Sequence, residues 1–381
     1  MKLSPFLKCI CPACFEEIYL GECRIISSTT SGNILKDPGK GLFARAHVVP
    51  LNGSYYAQEL AQRECPECTY LLPYNIEQVP NLIFVVVGDV SSGKSHYIIS
   101  MIQQIKQDWM ANASGFASFT CLTSKREQDY IKEYFNPLYG HNQSLAATQP
   151  RDPIDPQHPL IYHLITAPSL HHPPIEANLM IYDASGEDFE QLNRLVQVAR
   201  FTLISNAFIF VVDPFTILPL IQELDPQIQY ALDEQIQSAQ GRRAADRLNF
   251  VIRMVERYRG VPLGSSFRDT PIAVMISKSD IFEAANPTRS FHFKTSPAYG
   301  DGVDLRDIDL IDQEVQDLLR EYNQGDLLAA TYRFKKLKYF ATSATGTPPN
   351  IGGKFPYVKP RRCLDPMLWI MHELKIIKSS V

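Results

Sequence analysis

Consecutive apolar residues occur in short runs along the chain, and most runs lead into a glycine, an aspartate or a serine. The clearest run begins at Leu82, where the chain reads LIFVVVG. Continuous β-branched runs of this kind are typical of strands that are buried on both faces of a sheet. The pattern predicts strands at 82–88, 160–166, 179–182, 206–212, 271–276 and 338–340.

Apolar residues at helical spacing follow the first of these runs. Ile98, Met101, Ile102, Ile105 and Trp109 would share one face of a helix. Helices are also predicted within 226–260, at 304–322 and at 365–377. Because strands and helices alternate, we expect an α/β fold in which helices cover both faces of a sheet.

The composition narrows the classes of protein that fit this pattern. The chain has 381 residues, of which 45% are hydrophobic and 20% charged, and its formal net charge is −4. The apolar fraction excludes a disordered chain, and the near-neutral balance gives no support for nucleic acid as a partner. The amino terminus lacks the apolar run of a signal peptide, and no stretch reaches the roughly 18 apolar residues of a spanning helix. We therefore expect a soluble, cytoplasmic protein with no membrane partner.

Cysteine placement is uneven, because six of the eight cysteines lie in the first 68 residues. Two Cys-Pro-x-Cys turns, Cys11 to Cys14 and Cys65 to Cys68, are separated by 50 residues. Each turn can point two thiolates at one ion, so the pair predicts a structural zinc ribbon with four sulfur ligands. We place this module at residues 1–79 and expect hairpins, not helices, between the two turns.

Other interpretations of the cysteines remain open. Cys9 or Cys23 could replace one of the four ligands. A disulfide framework would require export, for which the sequence gives no sign. A redox pair of the thioredoxin type would require one such motif on a βαβ unit and not two facing turns.

A glycine-rich loop follows the strand that begins at Leu82. Residues 88–95 read GDVSSGKS, which matches the GxxxxGK[ST] pattern between a strand and a helix. Backbone N–H groups of such a loop hold phosphates, while Lys94 would reach the β- and γ-phosphates and Ser95 would bind Mg²⁺. The predicted nucleotide contacts are Gly88, Asp89, Val90, Ser91, Ser92, Gly93, Lys94 and Ser95.

A second motif follows the strand at 179–182, where the chain reads DASGE. Asp183 could hold the magnesium ion through water, and the backbone N–H of Gly186 could sense a γ-phosphate. Glu187 directly follows that glycine.

Two further loops resemble motifs that bind guanine. The strand at 271–276 leads into SKSD, which resembles the [NT]KxD motif of GTPases. The resemblance implies that Asp280 accepts hydrogen bonds from guanine N1 and the exocyclic amine and that the stem of Lys278 packs over the nucleotide. Adenine lacks that pair of donors. Ser343 and Ala344 follow the last predicted strand in a loop similar to the SA[K] loop of GTPases, whose backbone reads the guanine O6.

The four motifs, in this order, resemble the TRAFAC-class GTPases with a Ras-like core, over roughly residues 82–381. The resemblance implies a P-loop GTPase domain at 80–381 that binds GTP or GDP with Mg²⁺. Three residues depart from the common pattern: Ser277 replaces Asn or Thr, Thr345 stands where Lys is common, and Glu187 replaces a Gln. These departures affect the expected turnover rate more than the assignment.

The switch threonine that would bind Mg²⁺ should lie between Lys94 and Asp183, before the strand at 160–166. We assign Thr148 and keep Thr120, Thr123 and Thr166 as alternatives. Residues 137–174 are rich in proline and histidine and are predicted as a long switch loop. A helical insertion is expected at about 216–260, and its arginine-rich second half, 242–259, is interpreted as a solvated helix face in preference to a docking surface.

The cysteine module, the DASGE motif and a VVDP strand end together resemble the prokaryotic double-GTPase class. That resemblance implies a protein partner, such as a second GTPase or a GTPase-associated protein. The predicted reaction is slow hydrolysis of GTP, with Lys94, Thr148 and Glu187 as the catalytic residues and Ser95, Thr148 and Asp183 around the magnesium ion. The sequence identifies no internal arginine finger, so we expect turnover to depend on a partner. Two alternatives are a non-hydrolysing interaction module that uses the zinc ribbon and a P-loop ATPase or kinase.

Overall fold

The computed structural model describes residues 7–29, 33–52, 54–110, 116–145, 159–167, 173–183, 204–259, 269–297, 299, 302–350 and 352–379. The strands are β1 (Lys8–Ile10), β2 (Glu17–Tyr19), β3 (Arg24–Ser27), β4 (Ile34–Lys36), β5 (Ala61–Glu64), β6 (Asn81–Gly88), β7 (Phe116–Cys121), β8 (Leu160–Thr166), β9 (Glu176–Asp183), β10 (Ala207–Val212), β11 (Ile272–Ile276) and β12 (Leu337–Ala341).

The helices are α1 (Leu42–Ala46), α2 (Ser54–Gln58), α3 (Lys94–Met110), α4 (Ser124–Tyr130), α5 (Leu218–Gln222), α6 (Pro226–Ala231), α7 (Asp233–Ala239), α8 (Ala244–Arg259), α9 (Asp280–Ala285), α10 (Leu305–Glu321), α11 (Gly325–Thr331) and α12 (Asp365–Glu373). A π-helical segment (Ile131–Gly140) continues α4, and single 3₁₀ turns lie at Leu20–Glu22, Pro214–Thr216 and His292–Lys294.

A mostly parallel sheet organises the described part of the chain. Its seven strands follow the order β12–β11–β10–β6–β9–β8–β7. Strands β12, β11, β10, β6 and β9 are parallel, whereas β8 and β7 run antiparallel to their neighbours. The predicted α/β sheet with flanking helices is confirmed, and so is each strand expected from the apolar runs. Strand β7, at the edge, was not predicted, because its sequence FASFTC has no continuous apolar run.

Both faces of the sheet are buried, which is why its strands consist of β-branched and aromatic residues without polar alternation. Along β6, Phe84 and Val86 pack on one face with the apolar side of α3, and Val85 and Val87 pack on the other. Helix α12 joins α3 on the first face. Helices α8 and α10 cover the second face.

The amino-terminal region contains two small sheets. Strands β1 and β2 form a hairpin, and β3 lies between β4 and β5 in an antiparallel sheet. The prediction of hairpins between the two cysteine turns is right for β3, β4 and β5. It is wrong for α1 and α2, two helices of five residues each. Their shortness explains the error, because a single helical turn produces no periodicity that a sequence can display.

The cysteine turns pack directly on the second face of the sheet. The Tyr182 hydroxyl of β9 donates a hydrogen bond to the Pro12 carbonyl at 2.6 Å. The Phe15 and Tyr182 rings lie 5.4 Å apart. Cys11 and Leu20 belong to the same buried cluster as Val85 and Val87 of β6. The boundary after residue 79 therefore stays a prediction about domain organisation, and the two parts share a core.

The predicted switch loop at 137–174 is regular in part. Residues 137–140 complete the π-helical segment, and 160–166 form β8 as expected. Pro137 lies inside this helical segment. Among the described residues, no helix is both long and apolar enough to cross a membrane.

Candidate functional site

The predicted motif loops meet at one edge of the sheet. Gly88, Asp183 and Ala341 end β6, β9 and β12, and the SKSD loop begins directly after β11. These strands are parallel, so the loops at their carboxyl ends lie side by side. Ligands of open α/β sheets bind at this edge.

The conformation of the glycine-rich loop depends on its two glycines. A Cβ atom at Gly88 would lie 2.6 Å from the Val211 carbonyl oxygen of β10, so only glycine permits this approach. Gly93 has a φ of 88°, in the left-handed region that glycine adopts without strain. Between them Ser91 adopts a φ of 60°. The loop is therefore held in a curved shape in which successive N–H groups can face an anion.

The ammonium group of Lys94 lies inside this loop. It donates hydrogen bonds to the carbonyl oxygens of Gly88 at 3.1 Å and Asp89 at 2.6 Å, and approaches Ser92 Oγ at 3.5 Å. Burial disfavours its charge and lowers the pKa of Lys94 to about 8, although Asp183 and Asp89 act in the opposite direction. A bound phosphate would supply the missing counter-charge.

Ser95 begins α3 and reaches across to β9. Its hydroxyl donates a hydrogen bond to Asp183 Oδ2 at 2.7 Å. The two oxygens that were predicted to surround Mg²⁺ are thus adjacent, in a partly buried position at the sheet edge. Hydroxyl and carboxylate oxygens are the ligands that Mg²⁺ prefers, commonly with phosphates and water as the others.

The SKSD loop and the loop after β12 face each other across a second part of the site. Asp280 is 5% exposed, and its Oδ1 accepts a hydrogen bond from Ser343 Oγ at 2.5 Å. Burial raises the pKa of Asp280, while the hydrogen bond from Ser343 lowers it. The Ala344 carbonyl accepts a hydrogen bond from Ser100 of α3, which ties this loop to the helix behind the phosphate loop.

A cavity of about 540 Å³, measured with its opening to solvent, lies between these loops. Asp280, Lys278, His96 and Phe355 are among the residues that line it. Burial lowers the pKa of His96 to about 4, so this imidazole is neutral and accepts a hydrogen bond from the Leu145 N–H.

Lys278 and Ser277 connect the two halves of the site. Lys278 Nζ donates to the Ser91 carbonyl at 2.9 Å, and the Ser277 hydroxyl donates to the Ser92 carbonyl at 2.7 Å. Ser277, which stands where Asn or Thr is common, therefore forms a hydrogen bond to the glycine-rich loop.

Two residues of this connection were not predicted from the sequence. Asp213 accepts hydrogen bonds from Lys278 Nζ at 3.1 and 3.2 Å, and the same ammonium lies 4.4 Å from the centre of the Phe215 ring. Asp213 directly follows β10, and Asp183 is the last residue of β9. The position of Asp213 at a strand end could have marked it as a candidate site residue. Nothing in the sequence indicated that it pairs with Lys278.

The basic segment at 242–259 contacts the glycine-rich loop. Arg247 Nε donates to Asp89 Oδ1 at 2.7 Å, and Arg242 Nη1 donates to the Val90 carbonyl at 3.2 Å. The interpretation of the whole segment as a solvated helix face is wrong for these two residues. It holds for Arg253 and Arg257, which are exposed. The error arose because periodicity does not reveal what a polar helix face lies against.

Some predicted residues lie outside the described residues, namely Thr148, Gly186 and Glu187. Of the alternative threonines, Thr166 lies at the opposite end of the strands from the motif loops. Strand β8 is antiparallel to β9, so its last residues pair with the start of β9. Thr120 of β7 is exposed and pairs with His163 of β8. Thr123 Oγ1 accepts a hydrogen bond from the Ile161 N–H. The choice of Thr148 therefore stays a prediction.

The four cysteines predicted as metal ligands converge. Their sulfur atoms all lie within 4.8 Å of one another, with Cys11 and Cys68 at 3.7 Å and Cys14 and Cys65 at 3.8 Å. A tetrahedral zinc ion with Zn–S bonds of about 2.3 Å separates its sulfurs by roughly 3.8 Å. The donor set and its spacing thus fit zinc, and a closed set of four thiolates is typical of a structural site.

The two cysteine turns share one backbone conformation. Phe15 and Thr69, each directly after the second cysteine, have φ angles of 63° and 62°. Their N–H groups donate to the carbonyls of Cys11 and Cys65, in both cases at 3.0 Å. Cys9 and Cys23 are not part of the group of four. The Cys23 thiol donates to the Tyr19 carbonyl at 3.6 Å, so the predicted set is the one that the fold assembles.

The charge of this cluster also favours a cation. Hydrogen bonding between Cys11 and Cys65 raises the pKa of the first thiol and lowers that of the second, and burial raises the pKa of Cys14 to about 12. Four adjacent thiolates would repel one another without a counter-charge, whereas a bound zinc ion deprotonates its thiols.

The fold and the glycine-rich loop define a P-loop nucleotide-binding protein. The chain belongs to the Double-GTPase 2 family, whose model matches residues 83–336. It is also similar to the protein from Mycolicibacterium smegmatis described as "Putative ESX-1 scaffolding and assembly protein SaeC". The two are 25% identical over 326 residues, which cover 80% of this chain and 78% of that protein.

Proposed function

We propose that the protein binds GTP with Mg²⁺ and hydrolyses it slowly to GDP and phosphate. Lys94 and the backbone of residues 88–95 hold the phosphates, and Ser95 with Asp183 holds the magnesium ion. In this proposal Thr148 completes the metal site and Glu187 orients the attacking water. Magnesium would neutralise charge on the β- and γ-phosphates, while the protein excludes water and fixes the direction of attack.

The observation that carries the proposal is the arrangement of the site along one sheet edge. The Ser95–Asp183 pair and the buried ammonium of Lys94 lie on one side of Lys278, and the Asp280–Ser343 pair lies on the other. Lys278 touches the glycine-rich loop and also lines the cavity that contains Asp280. A nucleotide could therefore place its phosphates and its base in these two parts together. Family membership independently supports a GTP-binding P-loop protein.

Base selectivity would follow from the acceptor that Asp280 contributes to the lining of the cavity. The buried carboxylate of Asp280 offers two oxygens and no donor, which suits the N1–H and amine of guanine. An adenine base would present its N1 acceptor to that carboxylate and supply neither of these hydrogen bonds, which is costly in a buried site. This argument opposes the alternative of a P-loop ATPase or kinase.

Titration with fluorescent GTP, XTP and ATP analogues tests the base assignment. Two hydrogen bonds to a charged group contribute about 1.5–3 kcal/mol each, so Asp280→Asn should weaken GTP binding roughly 10²- to 10⁴-fold. The variant should improve XTP binding, because the amide can donate to the extra carbonyl of xanthine. Asp317→Asn, at an exposed position of α10, is the matched control and should bind as the wild type does. Preference for ATP, or unchanged selectivity of Asp280→Asn, contradicts the assignment.

We further propose that nucleotide state controls the binding of a protein partner, which could be a second GTPase or an associated protein. The support is the scaffolding and assembly role in the description of the similar M. smegmatis protein. If GTP binds tightly but single-turnover assays release no phosphate, a non-hydrolysing interaction module is the better description. The zinc ribbon then becomes the first surface to test for partner binding. A cytoplasmic location, where thiols stay reduced and guanine nucleotides are present, agrees with both versions.

A further inference from the structure

The helical insertion lies against both parts of the nucleotide site. Leu232 and Gln235, at α7, line the cavity that contains Asp280. The chain then turns at Gly241, which has a φ of 75°, and α8 begins at Ala244. The α7–α8 turn and the first part of α8 contain the two residues of the insertion, Arg242 and Arg247, that contact the glycine-rich loop.

Two arginines make that contact in different ways. Arg247 is bound to Asp89 in an ion pair whose side chains are 16% and 8% exposed, so its charge is neutralised within the protein. Arg242 donates one hydrogen bond to the Val90 carbonyl and is half-buried. Among the described residues Val90 is the hydrogen-bond partner of this guanidinium, and a guanidinium has five N–H donors. Arg242 can therefore hold the loop and still donate to a bound group.

Among the described residues, cations outnumber carboxylates around the glycine-rich loop by one. Three carboxylates and four cations lie there, and burial lowers the pKa of one of these cations, Lys94, to about 8. A second positive charge beside a buried ammonium is stabilising only when negative charge is present. The carboxylates are Asp89, Asp183 and Asp213, and the cations are Lys94, Lys278, Arg242 and Arg247.

We propose that Arg242 is an arginine finger supplied by this chain itself, with the Arg247–Asp89 pair as its positioning element. This inference rests on the GTPase function proposed above. In the reaction, water adds to the γ-phosphorus, the bond to the β–γ bridging oxygen breaks, and its electron pair leaves with GDP. The protons of the attacking water pass to the released phosphate and to solvent. Arg242 stabilises the negative charge that develops on the bridging and γ-phosphate oxygens.

Neighbouring arginines differ in ways that make the proposal specific to Arg242. Arg243 is exposed and forms an ion pair with Asp326 of α11, away from the loop. Arg253 and Arg257 lie further along α8 and are exposed to solvent. Arg243→Ala therefore removes an equal charge from the adjacent position without touching the loop, and it is the matched control.

Single-turnover hydrolysis of GTP by the full chain with Mg²⁺, without any partner, tests the proposal. An arginine finger contributes roughly 10³- to 10⁵-fold to the rate in known GTPases. We expect Arg242→Ala to slow phosphate release at least about 100-fold while the affinity for GTP changes by less than about threefold. Arg242→Lys keeps the charge and should also be slow, because an ammonium lacks the two-pronged donor geometry. Arg243→Ala should match the wild type.

A second measurement does not depend on turnover. Aluminium fluoride with GDP imitates the phosphoryl group in transfer, and transition-state analogues bind in proportion to transition-state stabilisation. The wild type should capture aluminium fluoride on fluorescent GDP with no partner present, and Arg242→Ala should not. Equal capture, or equal turnover, by wild type and Arg242→Ala overturns the inference and leaves the GTPase proposal intact. Failure of the wild type to bind guanine nucleotide, or to turn it over, removes the proposed function on which the inference rests.

Discussion

Nucleotide affinity should fall as pH rises through the pKa of the buried Lys94. In the nucleotide-free protein, burial lowers that pKa from 10.5 to about 8. Phosphates in the loop favour the ammonium form and raise the pKa again. Above pH 8, therefore, binding must take up a proton at Lys94, whereas at pH 7 the ammonium group is already charged.

The size of the effect follows from the shift. Once the free protein has lost the proton, each further pH unit weakens binding about tenfold, or about 1.4 kcal/mol. GDP should thus bind about tenfold more weakly at pH 9 than at pH 7. Stability of the nucleotide-free protein changes in the opposite sense. Because the unfolded chain binds the proton more tightly between about pH 8 and 10.5, the free energy of unfolding rises there, by at most about 3 kcal/mol.

Isothermal titration calorimetry of GDP binding measures this linkage directly. Titrations at pH 7, 8 and 9, each in two buffers with different ionisation enthalpies, give both the affinity and the number of protons taken up. Proton uptake should be near zero at pH 7 and approach about one at pH 9. Lys94→Met removes the titrating group and corrects for ionisation of guanine itself. An affinity that does not change between pH 7 and 9, with no proton uptake beyond that of Lys94→Met, would refute the reasoning.

Two further predictions concern the amino-terminal region. The purified protein should contain about one zinc ion per chain by elemental analysis. Cys65→Ser should lose the zinc while Cys9→Ser keeps it, because the sulfur of Cys9 lies outside the group of four. Less than about half an equivalent of zinc in the wild type, with reduced thiols, would contradict the zinc assignment. Tyr182→Phe should lower the free energy of unfolding in urea by about 1–2 kcal/mol, because it removes the buried hydrogen bond to Pro12. Tyr74→Phe, at a half-exposed position, is its control, and equal midpoints for the two variants would show that the contact contributes nothing.

The periodic parts of the fold could be predicted because burial on both sides leaves a local trace. The run at β6 is apolar at every position since neither face of that strand meets water. The helix that contains Ser95 also leaves a trace in the sequence, because its apolar positions fall on the face that packs in the core. Elements without such a trace were missed: β7 is an edge strand with polar positions, and α1 and α2 are single turns.

The candidate site divides in the same way. The loop at 88–95, Asp183 and the Lys278–Asp280 loop could be assigned from sequence because each follows a buried strand at fixed spacing. Their mutual contacts are tertiary. Nothing in the sequence indicates that Ser277 donates to Ser92 or that Asp213 pairs with Lys278.

The amino-terminal cysteines and the helical insertion show where the division lies. Two Cys-Pro-x-Cys turns already imply a four-sulfur site, because zinc imposes its own geometry on any chain that can supply the ligands. That the turns pack on β9 through Tyr182, and that Arg242 reaches the glycine-rich loop, was decided by the tertiary structure. Spacing along a chain encodes the local geometry of strands, turns and helices. Which charged face meets which loop depends on contacts between residues more than a hundred positions apart, and those contacts leave no periodic mark on the sequence.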